Sequence, residues 1–342
     1  MTHAESEQAV LQVQGLSQLY PVSTGVLSTL LGRKPRFVHA VDGVSFSVNK
    51  GEILGLVGES GSGKTTTALC VLGLLQPTAG EILLNGQSVP ALAHGPERLR
   101  LRREMQMVFQ DPYESLNPRQ TVFDIVAEPL EVHRLAPNAS EKMARVKAAL
   151  DAAGLKPPEG FLRRYPEELS GGQRQRVVIA GALILNPLLL VADEPVSMLD
   201  VSIRAEILNL LRQIRDTRGI TILYITHDLG TASIFTDRLA VMYLGRIVEI
   251  GPTAQVLSSP RHPYTRALLS VVPVPNPRRR RERVILQGEI PNAIDLPTGC
   301  RFHPRCPKAL AECQVTDPQL LSVAPGHDVA CILYGANRTE QE

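Results

Sequence analysis

The sequence predicts an α/β protein: a parallel-sheet core around a phosphate-binding loop, with an antiparallel β subdomain, a helical insertion and a small cysteine-rich C-terminal extension. Three observations carry this. Gly58-Glu59-Ser60-Gly61-Ser62-Gly63-Lys64-Thr65 fits the pattern G-x-x-x-x-G-K-[ST] without a mismatch, between a short apolar run at 53–57 and a helical run at 65–75. Apolar runs at 188–192 and 220–226 have the length and composition of buried strands. Between about 112 and 172 helical patterning replaces the strand pattern.

Taken in order, residues 10–13 and 44–48 alternate apolar and polar, which predicts two antiparallel strands with an inserted Gly/Ser/basic loop over 23–36. After the phosphate loop, 80–86 reads as a strand running into a tight turn, and 105–109 as a strand stopped by Gln110-Asp111-Pro112. Helices are expected over 121–130 and 140–155, the second with Met143, Val146, Leu150 and Ala153 on one face. A helix over 172–185, the strand 188–192, an amphipathic helix over 204–217 and the strand 220–226 follow. The runs 239–243 and 246–250, joined at Leu244-Gly245, read as a hairpin that closes this part near Pro252. Residues 273–283, with Arg278-Arg279-Arg280-Arg281, read as a solvated linker before the tail.

Composition limits the function classes. Charged residues make up 20% of 342, and 36 Lys+Arg against 34 Asp+Glu leave a net charge of only +2, so no basic field marks a nucleic-acid binder. The polar, acidic start resembles no secretory leader, and no apolar run is long enough for a spanning helix. Five cysteines in a chain of this kind are expected to be reduced rather than paired.

The residues that carry chemistry recur at strand ends, where α/β sheets bind ligands. In the phosphate loop Gly58, Gly61 and Gly63 let backbone N–H groups turn inward, Ser60 adds a polar contact, Lys64 reaches the β- and γ-phosphates and Thr65 can ligate magnesium, with Thr66 behind it. At the end of the run 188–192, Asp193 suits magnesium and Glu194 suits the base that polarises the attacking water. Gln110 and His227 each follow an apolar strand, within reach of a γ-phosphate or its water.

Leu169-Ser170-Gly171-Gly172-Gln173, lying between phosphate loop and carboxylates, is the signature of ATP-binding-cassette ATPases. With Gln110, Ser197-Met198-Leu199-Asp200 and His227, it identifies residues 8–255 as a member of that family. The resemblance implies an ABC-type nucleotide-binding domain with its helical part over about 112–172, ATP and Mg²⁺ as cofactors, and Thr65, Gln110 and Asp193 around the metal. It also implies a head-to-tail pair of cassettes, in which the signature residues Ser170, Gly171, Gly172 and Gln173 of one chain face the other's nucleotide, with Asp200 a further nucleotide-site residue. Tyr20 should stack on adenine, with Phe37 and His39 as alternatives. Two departures stand out: Met198 where alanine is usual, and Gly181 where arginine is common.

Arg261-His262-Pro263-Tyr264-Thr265-Arg266-Ala267-Leu268 and the cysteine-rich residues 256–335 look like the C-terminal region of oligopeptide and dipeptide importer ATPases, as does Ser115-Leu116-Asn117-Pro118-Arg119. That resemblance implies a second ATPase subunit, two membrane permeases, an extracytoplasmic peptide-binding protein, and a peripheral place on the cytoplasmic face of the cell membrane. The rival class, a soluble cassette gripping nucleic acid, lacks its usual second cassette, coiled-coil arm and basic surplus. Cys300, Cys306, Cys313 and Cys331 lack the close C-x-x-C pairs of zinc ribbons. The resemblance implies a [4Fe–4S] cluster on them, with zinc or unligated thiols as alternatives. Nothing in the sequence places this tail near the phosphates, and its few apolar residues suggest little core of its own. His303 and His327 read as surface or structural residues rather than ligands, and Cys70 as a small buried hydrophobe.

Overall fold

The computed structural model describes residues 9–22, 35–272, 284, 286 and 288–335. The inserted loop, apart from its last two residues, and the arginine run at 278–281 lie outside them. The strands are β1 (Ala9–Pro21), β2 (Phe37–Asn49), β3 (Ile53–Val57), β4 (Ala79–Leu84), β5 (Gln87–Ser88), β6 (Met105–Val108), β7 (Leu189–Asp193), β8 (Thr221–Thr226), β9 (Arg238–Tyr243), β10 (Arg246–Pro252), β11 (Leu321–Ala324) and β12 (His327–Val329). The described residues form two compact units that interleave in sequence: one takes 9–11, 47–53 and 83–225, the other 12–22, 35–46, 54–82 and the described residues from 226.

In the first unit β8, β7 and β6 lie side by side. All are parallel, in register from Leu189↔Thr221 to Asp193↔Ile225 and from Met105↔Leu189 to Val108↔Ala192. Every residue of β7 and β8 is buried, which explains why these strands are mostly apolar rather than alternating. The helical part packs helices Val122–Val132, Ala139–Ala152 and Gly171–Leu183 around a core that includes Val126, Leu130, Val146, Leu150 and Val177. Thr121 and Asp124 form a capping box at the first helix, and Asn138 caps the second by accepting from the Glu141 N–H. Met143, expected on the buried face with Val146 and Leu150, is 36% exposed. It lies one turn from the helix start, where the apolar stripe has already left the core.

In the second unit β3 pairs parallel with β9, and β9 runs into β10 through Leu244 and Gly245, both at positive φ, as a two-residue hairpin turn requires. The tail then returns: β12 pairs antiparallel with β10, matching Glu249 to Val329, and β11 lies outside β12. Phe302 is 1% exposed, packed on Tyr243 of the cassette and on His262 and Tyr264 of the tail, and Val329 is fully buried. A second sheet, in the order β2-β1-β4-β5, has most of its residues in this unit.

Candidate functional site

The phosphate loop begins where fully buried β3 ends and stops at Gly63, which caps helix Lys64–Val71 from the left-handed region, φ 104°. Glycine is required there twice over, since a Cβ would also press on the Ala40 carbonyl and come within 2.8 Å of Met242 Cε. Lys64 Nζ donates to the carbonyls of Gly58 and Glu59, both at 2.9 Å, and to Ser62 Oγ at 3.4 Å, so the ammonium sits inside the loop's curve. Ser60, Gly61 and Thr65 are exposed, and Thr66 is half-buried. Cys70, on the same helix, is wholly buried, and burial pushes its thiol up to about 11. His227 is exposed just past β8, while Asp228 caps helix Leu229–Phe235. Tyr20 and Phe37 are exposed to nearly the same degree, 38% and 37%, so exposure does not separate them as adenine contacts.

In the first unit, Asp193 ends β7 and is buried. Glu194 follows at φ 47°, a conformation that costs a non-glycine residue about 1–3 kcal/mol and persists only where surroundings impose it. Here they do: the Glu194 N–H donates to the Ile225 carbonyl at 2.8 Å, and Ser197 Oγ donates to the Glu194 carbonyl at 3.1 Å. The side chain is thereby turned toward Gln110, whose Nε2 donates to Glu194 Oε2 at 3.0 Å. Two residues 84 positions apart, singled out separately in the sequence, thus share one hydrogen bond.

Ser170 caps helix Gly171–Leu183 in a reciprocal box: its Oγ accepts from the Gln173 N–H, and Gln173 Oε1 accepts from the Ser170 N–H. Ser170 and Gln173 therefore fix the helix start. A Cβ at Gly172 would come within 2.7 Å of Ile203 Cγ2 on helix Val201–Arg218, so a side chain there forces Ile203 to shift, whereas Gly171 would meet only ordinary contacts. Asp200 caps that second helix by position, without a side-chain cap bond, and Met198 beside it is 59% exposed.

The tail corrects a further expectation, for it reaches the phosphate loop directly. Arg305 forks onto Glu59, Nη1 to Oε2 at 2.9 Å and Nη2 to Oε1 at 3.3 Å, and the Glu59 N–H donates to the Tyr264 hydroxyl at 2.9 Å. These contacts span about 200 residues or more of chain, and no local pattern announces them. Nearby, Arg301 pairs with Asp42; burial would raise the Asp42 carboxyl, but Arg301, with Arg246 behind it, holds it below its ordinary value. His327 Nε2 bonds the fully buried Glu249 at 2.8 Å and His303 Nδ1 bonds the Cys300 carbonyl at 2.9 Å.

The four tail cysteines are mutual electrostatic neighbours: Cys331 feels the other three, Cys300 feels Cys306 and Cys313, and Cys306 feels Cys313. Burial pushes Cys300 up to about 11, Cys331 up to about 12, and Cys306 above its ordinary value. The Leu310 N–H points at Cys313 Sγ, 3.4 Å away. Among the described residues no group of three or more His, Cys, Asp or Glu side chains is placed to hold a metal ion.

A phosphate loop on a buried strand, paired acids at another strand's end and a serine-capped signature helix define a P-loop nucleotide-binding cassette. The ABC transporter family model matches residues 41–197, and that of the oligopeptide/dipeptide transporter C-terminal region matches 248–313. The chain is 47% identical over 90% of its length to the putative oligopeptide transport ATP-binding protein YkfD of Bacillus subtilis, covering 94% of it. It is 45% identical over 97% of its length to the oligopeptide transport ATP-binding protein AppF of the same organism, covering 99%. Among solved structures, the dimeric post-hydrolysis state of the ATP-binding cassette MJ0796 bound to ADP and Pi overlays 71% of this chain and 98% of that one, at 29% identity and a TM-score of 0.61. The chain belongs to the ABC transporter family, and it is an ATPase of that family. Among the described residues no helix is long and apolar enough to cross a membrane.

Proposed function

We propose that this chain is the ATP-hydrolysing motor subunit of a peptide importer. Its ATP-binding domain covers 8–255, with the helical part at about 112–172, and its importer-type C-terminal region covers 256–335. The observation that carries the hydrolytic roles is the 3.0 Å hydrogen bond between Gln110 and Glu194. It seats an amide beside Glu194, the carboxylate assigned to take a proton from the attacking water. That water's oxygen bonds the γ-phosphorus as the bond to ADP's oxygen breaks, and the proton passes to Glu194. Lys64 neutralises the β- and γ-phosphates, and His227 orients the γ-phosphate. Thr65, Asp193 and Gln110 would hold Mg²⁺, which supplies charge neutralisation on the phosphates.

Head-to-tail pairing with a second copy or a related ATPase would bring Ser170, Gly171, Gly172 and Gln173 to the partner's nucleotide. The helix start they form favours an anion. The peptide cargo rests on the match to the oligopeptide/dipeptide transporter C-terminal region and on the names of YkfD and AppF. With it come two integral-membrane permeases, an extracytoplasmic peptide-binding protein and a place on the cytoplasmic face of the membrane. The four tail cysteines fit the donor set of a [4Fe–4S] cluster, in which each thiolate bonds a different iron and the sulfurs need not meet at one point. Bound there, a cluster supplies a cross-link within the tail.

The test is the full chain copurified with its membrane subunits and reconstituted in liposomes. Magnesium-dependent ATP hydrolysis should rise when a peptide-loaded binding protein is added. Hydrolysis that no peptide stimulates would overturn the importer reading.

A further inference from the structure

The structure assigns to Arg305, in the cysteine-bearing tail, a role in ATP binding: it is a positioning residue that neutralises Glu59 and so keeps the phosphate loop's field positive. This inference rests on the loop being the ATP site.

Glu59 is the one acidic residue in the loop 58–65 and stands next to Gly58, whose carbonyl Lys64 grips. Its carboxylate is 27% exposed, and left alone it would oppose a bound triphosphate and compete for the Lys64 ammonium. Arg305 answers both oxygens with a two-pronged contact from a side chain only 8% exposed. A planar fork is suited to this; a single ammonium would meet the carboxylate without fixing its plane.

Arg305 is itself held from two directions. Its guanidinium carbon lies 5.9 Å from the centre of the Tyr243 ring, and that ring packs 4.7 Å from Tyr264 and 5.2 Å from Phe302. Behind it, the Arg305 N–H donates to the Phe302 carbonyl, the His303 N–H to the Cys300 carbonyl and the Cys306 N–H to the His303 carbonyl, closing the turn His303–Arg305 between two of the cysteines. Tyr264, from the same aromatic group, holds the Glu59 N–H. The backbone and the carboxylate of Glu59 are thus both set by residues beyond 255, although every group expected to touch phosphate lies before it.

The experiment is a charge cycle on the full chain, reading ATP affinity with magnesium and kcat at saturating ATP. Arg305→Ala should weaken ATP binding about fivefold or more, with kcat changed less than about twofold. Arg305→Lys, which keeps the charge and loses the fork, should fall between it and wild type. Glu59→Gln together with Arg305→Ala should return affinity to within about twofold of wild type, because the carboxylate that needed neutralising is gone. Arg305→Gln replaces the alanine variant in the same cycle if the latter does not fold. Failure of the wild-type chain to bind ATP would count against the site assignment itself. The inference is overturned if Arg305→Ala binds ATP within about twofold of wild type, or if the double variant stays as weak as Arg305→Ala, which would make Arg305 a prop for the tail fold alone.

Discussion

Acid should undo the support beneath the phosphate loop through His262. This residue is 1% exposed and caps helix Pro263–Ser270, its Nδ1 accepting from the Tyr264 N–H at 3.1 Å, which only an unprotonated Nδ1 can do. Burial lowers its pKa from 6.5 to about 3. The unfolded chain therefore takes up a proton near 6.5 and the folded chain only near 3; between them unfolding binds a proton, and stability falls as pH falls. The slope is about 1.4 kcal/mol per pH unit, so going from about pH 7 to about pH 5 costs about 2 kcal/mol from this group. Replacing His262 with Asn keeps a cap that accepts from the Tyr264 N–H but cannot titrate. Native-state hydrogen exchange at the amides of Tyr264 and Glu59 reports the opening locally. Between those two pH values the wild-type opening free energy should drop by about 2 kcal/mol more than that of His262→Asn. Equal pH dependence in the two proteins would refute the buried neutral imidazole as its source.

Glu194→Gln should keep ATP binding and lower single-turnover hydrolysis by about 100-fold or more, since the amide keeps its hydrogen bond to Gln110 but takes no proton; hydrolysis at the wild-type rate would remove Glu194 from the chemistry. Gly181→Ala should raise the stability of the helical part by about 1 kcal/mol in urea unfolding, because nothing lies within 4 Å of the added Cβ and the helix interior gains a better former. Gly172→Ala, nine positions earlier in the same helix, should do the opposite, driving its Cβ against Ile203 and lowering the midpoint of the same transition. Anaerobically purified protein should show a broad visible absorption that Cys306→Ser weakens; colourless protein with stoichiometric zinc would remove the cluster.

What the sequence made legible is what is contiguous. The phosphate loop, the apolar runs of β7 and β8 and the signature each sit within eight residues, and helix caps at Thr121 and Ser170 lie beside the helices they start. The hairpin β9–β10 was readable from its turn pair. Glu249 was not: a glutamate within an apolar run gives no sign of being fully buried, because its partners are the Arg261 and His262 amides and His327, 78 residues away. Arg305 and Glu59 are 246 residues apart, and periodicity carries no information over such a distance. Met143 falls on the apolar face of a helical wheel, but burial along that helix is confined to Val146, Ala149 and Leu150, which a wheel does not show.

The pairing of β10 with β12 also sets an order of events in making the protein. When the ribosome has delivered Pro252, the edge of β10 that β12 will cover is still open, and an open strand edge is a template for any other strand nearby. His327 follows on the order of 4 to 15 seconds later at about 5–20 residues per second. Until then the half-made chain is most exposed to mispairing with its neighbours on the same message. A stall or cleavage between these points should yield aggregates, even though every residue expected to touch nucleotide has already been synthesised.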